Sequence, residues 1–329
     1  MKYLFLTAIL LLATCCNAQT ALTPVELKVD SLPKIRHMID MKVIGNDLYI
    51  TFETPDAMGQ RFLRSYEITP DSLKFKHEFF KRPDGYYQCY MPALVANSDS
   101  IMVISQDEGD LYSISPNGEV KRLRKNIITS KVPFPFSQMI LDPTEICDDK
   151  YLFVAREPMG GTQHIMEADL KADTIREIAP TIALPEISTW IANSGKMVYL
   201  PRQNEAVFAY RLHPMIQILN KNIKWRNRVF SNPTFDPVTL GDADVELLNP
   251  IHFEDLWAFN SKIFALYTGK KYNDCASEAH QDVTIYELNE KFDINRQYLI
   301  NQNILKIAVS NEKKLIGWTG SKFITLSLY

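Results

Sequence analysis

A unit of about 50 residues recurs six times along this chain, and no other feature limits the fold as tightly. Each copy opens on a short polar turn, passes through an apolar run and leaves by a polar loop. The six are GNDLYITFET from Gly45, NSDSIMVISQDEG from Asn97, DDKYLFVAREPMGG from Asp148, NSGKMVYLPRQNE from Asn193, NSKIFALYTGKK from Asn260 and NEKKLIGWTGS from Asn311. Their apolar runs begin at Leu48, Ile101, Tyr151, Met197, Ile263 and Leu315, separated by 53, 50, 46, 66 and 52 residues. A fixed period outranks any local motif, because a repeated unit buries its apolar face only against its neighbours.

Each run has three companions. Before it stands a short apolar piece (MKVI, ALVA, TEIC, TWIA, LWAF, LKIAV). After it comes a segment of shared ending (SYEI, LYSI, EADL, AYRL, IYEL, TLSL), a turn rich in Pro, Asn, Asp or Gly, and a further alternating run such as LKFKHEFF or TIREI. Four short strands joined by hairpin turns and repeated six times predict an all-β chain, a six-bladed β-propeller of four-stranded antiparallel blades. The last copy stops at Leu328 and Tyr329 after its third strand. Pro24 to Val29 alternates as a strand and is expected to supply the fourth, so that the N-terminus closes the ring and covers two sheet edges. Within this repeat LYTGKK is no phosphate loop: it lacks the G-x-x-x-x-G-K-[ST] spacing and the following helix. Tyr267, Lys270 and Lys271 are expected in a loop between two strands.

The first 18 residues, MKYLFLTAILLLATCCNA, read as a secretory signal: one lysine, a short apolar run, then small residues. Two processing routes stay open. Lipid attachment at Cys15 or Cys16 would follow a lipobox-like LATC, and cleavage after Ala18 would release a chain beginning at Gln19. Residues 19–329 are expected to form one propeller domain. Lys and Arg total 36 against 39 Asp and Glu, without long blocks of either sign. Such a surface does not suit nucleic acid, whose binding rests on clustered cations. Cys89, Cys147 and Cys275 are isolated, and Asp274, Cys275, Glu278, His280 and Asp282 match no metal-ligand frame, so no cofactor or metal is expected.

The stretches IFALYTGKKYND, DVTIYELNEKFDINRQYLI and NILKIAVSNEKKLIGWTG resemble the TolB-like six-bladed propeller proteins of Bacteroidetes, many of them lipoproteins. The resemblance implies the fold and export to the periplasm or outer membrane. It implies no activity and no catalytic residues.

In a propeller the loops after each second strand share a face with the connectors between blades. The connectors are long here, at 80–92, 126–143 and 226–255, and long irregular segments are usually functional or disordered. Aligning the copies sets Glu53, Gln106, Arg156, Arg202, Thr268 and Gly320 in one column. Arg156 and Arg202 are thereby expected side by side on the rim, suited to an anionic group, or else paired with Glu157 and Glu205. Asp107, Glu108, Glu205, Tyr267 and Lys270 join that ring of candidate ligand-binding residues. The function this favours is a monomeric cell-envelope binding module for a protein, peptide or glycan. The alternative is a metal-assisted, lactonase-like hydrolase with its site over the central channel.

Overall fold

The computed structural model describes residues 19–328 except 58, 82–87, 96–100, 107, 126–139, 148, 157–162, 182–190, 221, 223, 231–248, 272–281 and 312–313. The described residues form strands and turns with no helix, arranged as six antiparallel blades in a ring, a six-bladed β-propeller. The innermost strands are His37–Ile44, Pro92–Leu94, Ile140–Cys147, Gly195–Leu200, Pro250–Phe259 and Lys306–Asn311.

Burial follows position in the blade. Second strands such as DLYITFE and IMVIS are packed on both faces and read as near-continuous apolar runs. The fourth strands VKRLR and WRNRV lie at the circumference and carry the charges. Among the described residues the six largest apolar clusters hold the ring together, one between each pair of neighbouring blades.

The ring closes through the N-terminus as expected, and the closing segment reaches further than a single strand. Strand β1 (Gln19–Leu22) runs parallel to Ile294–Ile300 at the edge of blade 5, and β2 (Val25–Glu26) is the antiparallel fourth strand of blade 6. Strand β3 (Lys28–Val29) runs parallel to Ser72–Glu78 at the edge of blade 1. Backbone bonds from Leu27 N–H to the Phe323 carbonyl (2.9 Å) and from Lys28 N–H to the Asp71 carbonyl (3.1 Å) stitch the turns between them. Leu22 is buried between blades 5 and 6, and Leu27, 2% exposed, between blades 6 and 1. The segment is a strap across three blades.

Blade 4 corrects the sequence alignment. Its innermost strand is Gly195–Leu200, the run taken above as a second strand, followed by Glu205–Tyr210, Met215–Leu219 and Trp225–Val229. Ile191 and Ala192 from TWIA form, with Asn193, a turn outside the sheet. Innermost strands then begin 55, 48, 55, 55 and 56 residues apart, and the uneven 46 and 66 of the first alignment disappear. Gly195 fixes the start of this strand: a Cβ there would stand 2.2 Å from the Ala209 carbonyl oxygen, so only glycine allows the approach.

Candidate functional site: the ring axis

Each innermost strand pairs on one side only, which leaves a row of backbone groups along its free edge toward the axis. Alternate blades answer this with an aspartate. Asp40, Asp142 and Asp255 lie in the innermost strands of blades 1, 3 and 5, each where the ladder register shifts. Asp142 accepts the Met197 N–H of blade 4 (2.8 Å), and Asp255 accepts the Ile307 N–H of blade 6 (2.9 Å) and its neighbour Leu256 N–H (3.0 Å). Asp40 accepts Met41 N–H at 3.0 Å. A lysine precedes each cross-blade donor: Lys196 before Met197 and Lys306 before Ile307. The axis is therefore organised in pairs of blades.

Lys196 reaches across it. Its ammonium lies 2.8 Å from Asp142 of the adjacent blade and 3.1 Å from Asp40 of blade 1, which stands opposite blade 4 in a ring of six. Burial alone would drive Lys196 toward neutrality, yet the Asp142 and Asp40 carboxylates hold its pKa well above the usual lysine value. Burial raises the Asp255 carboxyl above its ordinary range, while Lys306 and Lys196 pull it down.

This strut floors a funnel of about 710 Å³ that opens between the turns joining first and second strands. Val43, Met197, Leu256, Trp257 and Val309 line its wall, and Arg202, Gln203, Asn260, Ser261 and Ser310 its mouth. Beneath the floor lies a second void of about 50 Å³, beside Thr51, Arg61 and Gln106. There Arg61 donates to Gln106, which donates to the Ile140 carbonyl, so blades 1, 2 and 3 are tied together on the connector side.

The expected site residues that are described do not converge. Arg156 ends a second strand, whereas Arg202 follows the innermost strand of blade 4, so the two lie at opposite ends of the ring. The one-strand slip in blade 4 explains the misplacement. Glu205 pairs with Arg226 across its own blade at 3.6 Å. Tyr267 and Lys270 belong to the ten-residue strand Lys262–Lys271 and not to a loop, because the Pro250–Phe259 strand pairs with its full length. The Tyr267 hydroxyl meets His252 Nδ1 at 3.1 Å, and its ring packs among Phe253 and Tyr286. Exposed Glu108 donates its N–H to Ser105 Oγ. Asp107, the Arg156 side chain, Cys15, Cys16, Glu157, the segment 272–281 and most of the long connectors lie outside the described residues. Of the column, Gln106 and Thr268 turn inward to hold neighbouring backbone carbonyls. Among the described residues no group of three or more His, Cys, Asp or Glu side chains is placed to hold a metal.

Two histidines are buried on the connector side, His213 between the second and third strands of blade 4 and His252 in the innermost strand of blade 5. Burial pushes both down to about 4 from the ordinary 6.5, and for His252 the neighbouring His213 adds to this. Both are neutral in the folded ring and take up protons on unfolding. Their contribution is thus complete above pH 6.5 and is lost as pH falls toward 4. His252→Gln should reduce the acid slope of unfolding free energy by about one proton over that window, measured by urea titrations at stepped pH. An unchanged slope would show that His252 is already solvated.

No family model matches this chain, and no curated protein matches it. Among solved structures it is similar to a member of the DUF4221 family from Bacteroides vulgatus, with 12% identity over 94% of this chain and 98% of that one, at a TM-score of 0.59. It is also similar to regucalcin, a calcium-binding protein from Agrobacterium tumefaciens, with 9% identity, 94% and 95% coverage and a TM-score of 0.55. A Bacteroides fragilis protein assigned as exported gives 10% identity, 93% and 94% coverage and a TM-score of 0.54. At such identities the likeness is one of fold, and it extends over nearly the whole ring.

Proposed function

We propose that this chain is an exported cell-envelope binding module of the TolB-like propeller kind, and that it holds its ligand in the axial funnel. Its place is the periplasm, or a membrane surface if Cys15 or Cys16 carries a lipid. The support for export is the leader-like first 18 residues and the likeness in fold to a Bacteroides protein assigned as exported.

One observation carries the reading: among the described residues, the axial carboxylates Asp40, Asp142 and Asp255 are all already engaged. Asp40 and Asp142 share the Lys196 ammonium, and all three aspartates accept backbone N–H groups. A metal-assisted hydrolase needs carboxylates with free lone pairs converging on the axis. The funnel offers instead apolar wall and polar mouth, in the size range of small-molecule sites. The loop-rich face named from the sequence remains a second place for a protein partner.

The test is thermal. Exhaustive chelation, or added calcium, magnesium or zinc, should leave the melting temperature within about 1 °C, because a ligand stabilises only by what it binds in the native state. Fractionated envelope glycans and peptides should raise it by several degrees. A metal-dependent rise of more than about 5 °C would overturn the binding reading in favour of a metal enzyme.

A further inference from the structure

The funnel mouth holds polar groups that the protein itself does not use. Gln203 Oε1 and Ser261 Oγ are both buried without a hydrogen-bond partner, and both line the cavity. A buried acceptor left unmatched costs free energy, so a side-chain rotation that turns these shielded atoms into the cavity toward another molecule's donors is favoured. Ser261 is also held at φ 63, in the left-handed region that a serine rarely adopts, within the turn after the innermost strand of blade 5. Beside them Arg202 is exposed and has no partner among the described residues.

Charge narrows the ligand further. The ionised side chains lining the funnel are Lys42, Lys196 and Arg202 against Asp40 and Asp142, three cations to two carboxylates. Lys196 is held by the two aspartates and Lys42 donates to the Val95 carbonyl deep in the ring. The excess is a single positive charge, and the cation free to meet a ligand is Arg202. A monoanion balances it and a phosphate dianion does not. A planar carboxylate also fits the fork of one guanidinium. The Gln203 oxygen requires a donor on the ligand, and Ser261 accepts or donates, so the anion must carry hydroxyl groups. Trp257, partly buried in the wall, offers an aromatic surface to a ring.

We infer that the funnel binds a sugar acid, a hydroxylated ring bearing one carboxylate such as the uronic-acid end of a glycan, with its carboxylate on Arg202 and its hydroxyls on Gln203 and Ser261. This rests on the funnel being the binding site, and the experiment separates the two. D-glucuronate, D-galacturonate, D-glucose and glucose 6-phosphate are titrated calorimetrically into the native protein and three variants. Arg202→Gln removes the charge, Gln203→Trp fills the mouth, and Arg226→Gln alters an outer-rim arginine that pairs with Glu205. The expected result is uronate binding at least about tenfold tighter than glucose, weakened about tenfold by Arg202→Gln, the scale of one charge-assisted hydrogen bond. Gln203→Trp should abolish it, and Arg226→Gln should leave it unchanged. Failure of uronate to bind at millimolar concentration, or equal binding by the Arg202→Gln variant, overturns the sugar-acid assignment. Glucose or the phosphate bound in its place and lost in Gln203→Trp would leave the funnel standing with a different ligand. Binding that survives Gln203→Trp would remove the funnel as the site altogether.

Discussion

A chain lacking residues 19–29 should fail to form a stable ring. The deletion uncovers the edges of blades 5, 6 and 1 together, and it leaves blade 6 with three strands, the outermost being Phe323–Ser327. It also removes Leu22 and Leu27 from two interblade cores. Truncating one buried leucine costs about 2–5 kcal/mol, and a whole domain is stable by only about 5–15 kcal/mol. Soluble yield and melting temperature would be compared for the deletion, for Leu22→Ala with Leu27→Ala, and for Val25→Ala. Val25 is 56% exposed, so its truncation should change little. A deletion that melts with the intact chain would show that the strap only decorates a ring already closed.

Lys196→Ala should be the most damaging single substitution on the axis. It leaves Asp40 and Asp142 at the funnel floor without their counter-ion, and breaking a buried pair from one side costs at most about 3–5 kcal/mol, less here because the floor is partly open to solvent. Replacing Lys196 by Met and Asp40 by Asn together should recover most of that loss, since one carboxylate and the ammonium then leave as a unit. The sign with pH is definite. The native pKa of Lys196 is raised, so its contribution is complete at neutral pH and fades only as pH climbs past the ordinary lysine value toward the elevated one. Urea midpoints at neutral and strongly alkaline pH would check this: the gap between native protein and variant should narrow at the alkaline end. Equal stability of Lys196→Ala and the native chain at neutral pH would deny the strut any role.

Six blades and their closure by the N-terminus were legible because each second strand is buried on both faces and so repeats as an apolar run that composition cannot disguise. Blade 4 slipped by one strand because Thr189-Trp190-Ile191-Ala192 imitates the apolar piece that precedes a second strand elsewhere. The 46 and 66 spacings flanking it were the available warning. That slip carried Arg202 to the wrong end of the ring, and with it the expected arginine pair. The axial aspartates were missed for a different reason. Each sits in a strand that carries another charged residue, Lys42, Glu145 or Glu254, and no local motif in IDM, LDP or EDL singles it out. They recur 102 and 113 residues apart, about two blades, a signal that becomes visible only once the innermost strands are aligned. Gln203 and Ser261 had no signal in the sequence at all, because an unmatched buried atom is a property of three-dimensional surroundings.

The strap also sets an order of events in time. Gln19 lies beside Gln297 and Val25 beside Thr325, pairings that span nearly the whole chain, and contacts so distant in sequence form late and slowly. A nascent chain emerges from its N-terminus, so β3 meets its blade 1 partner early, β1 waits for blade 5, and β2 stays unpaired until Phe323–Ser327 of blade 6 has been made. The apolar Phe323–Ser327 strand then has a brief interval in which another molecule could pair with it before β2 does. Pairing of β2 with Phe323–Ser327 is thus the step that decides whether the seam closes within one chain or between two.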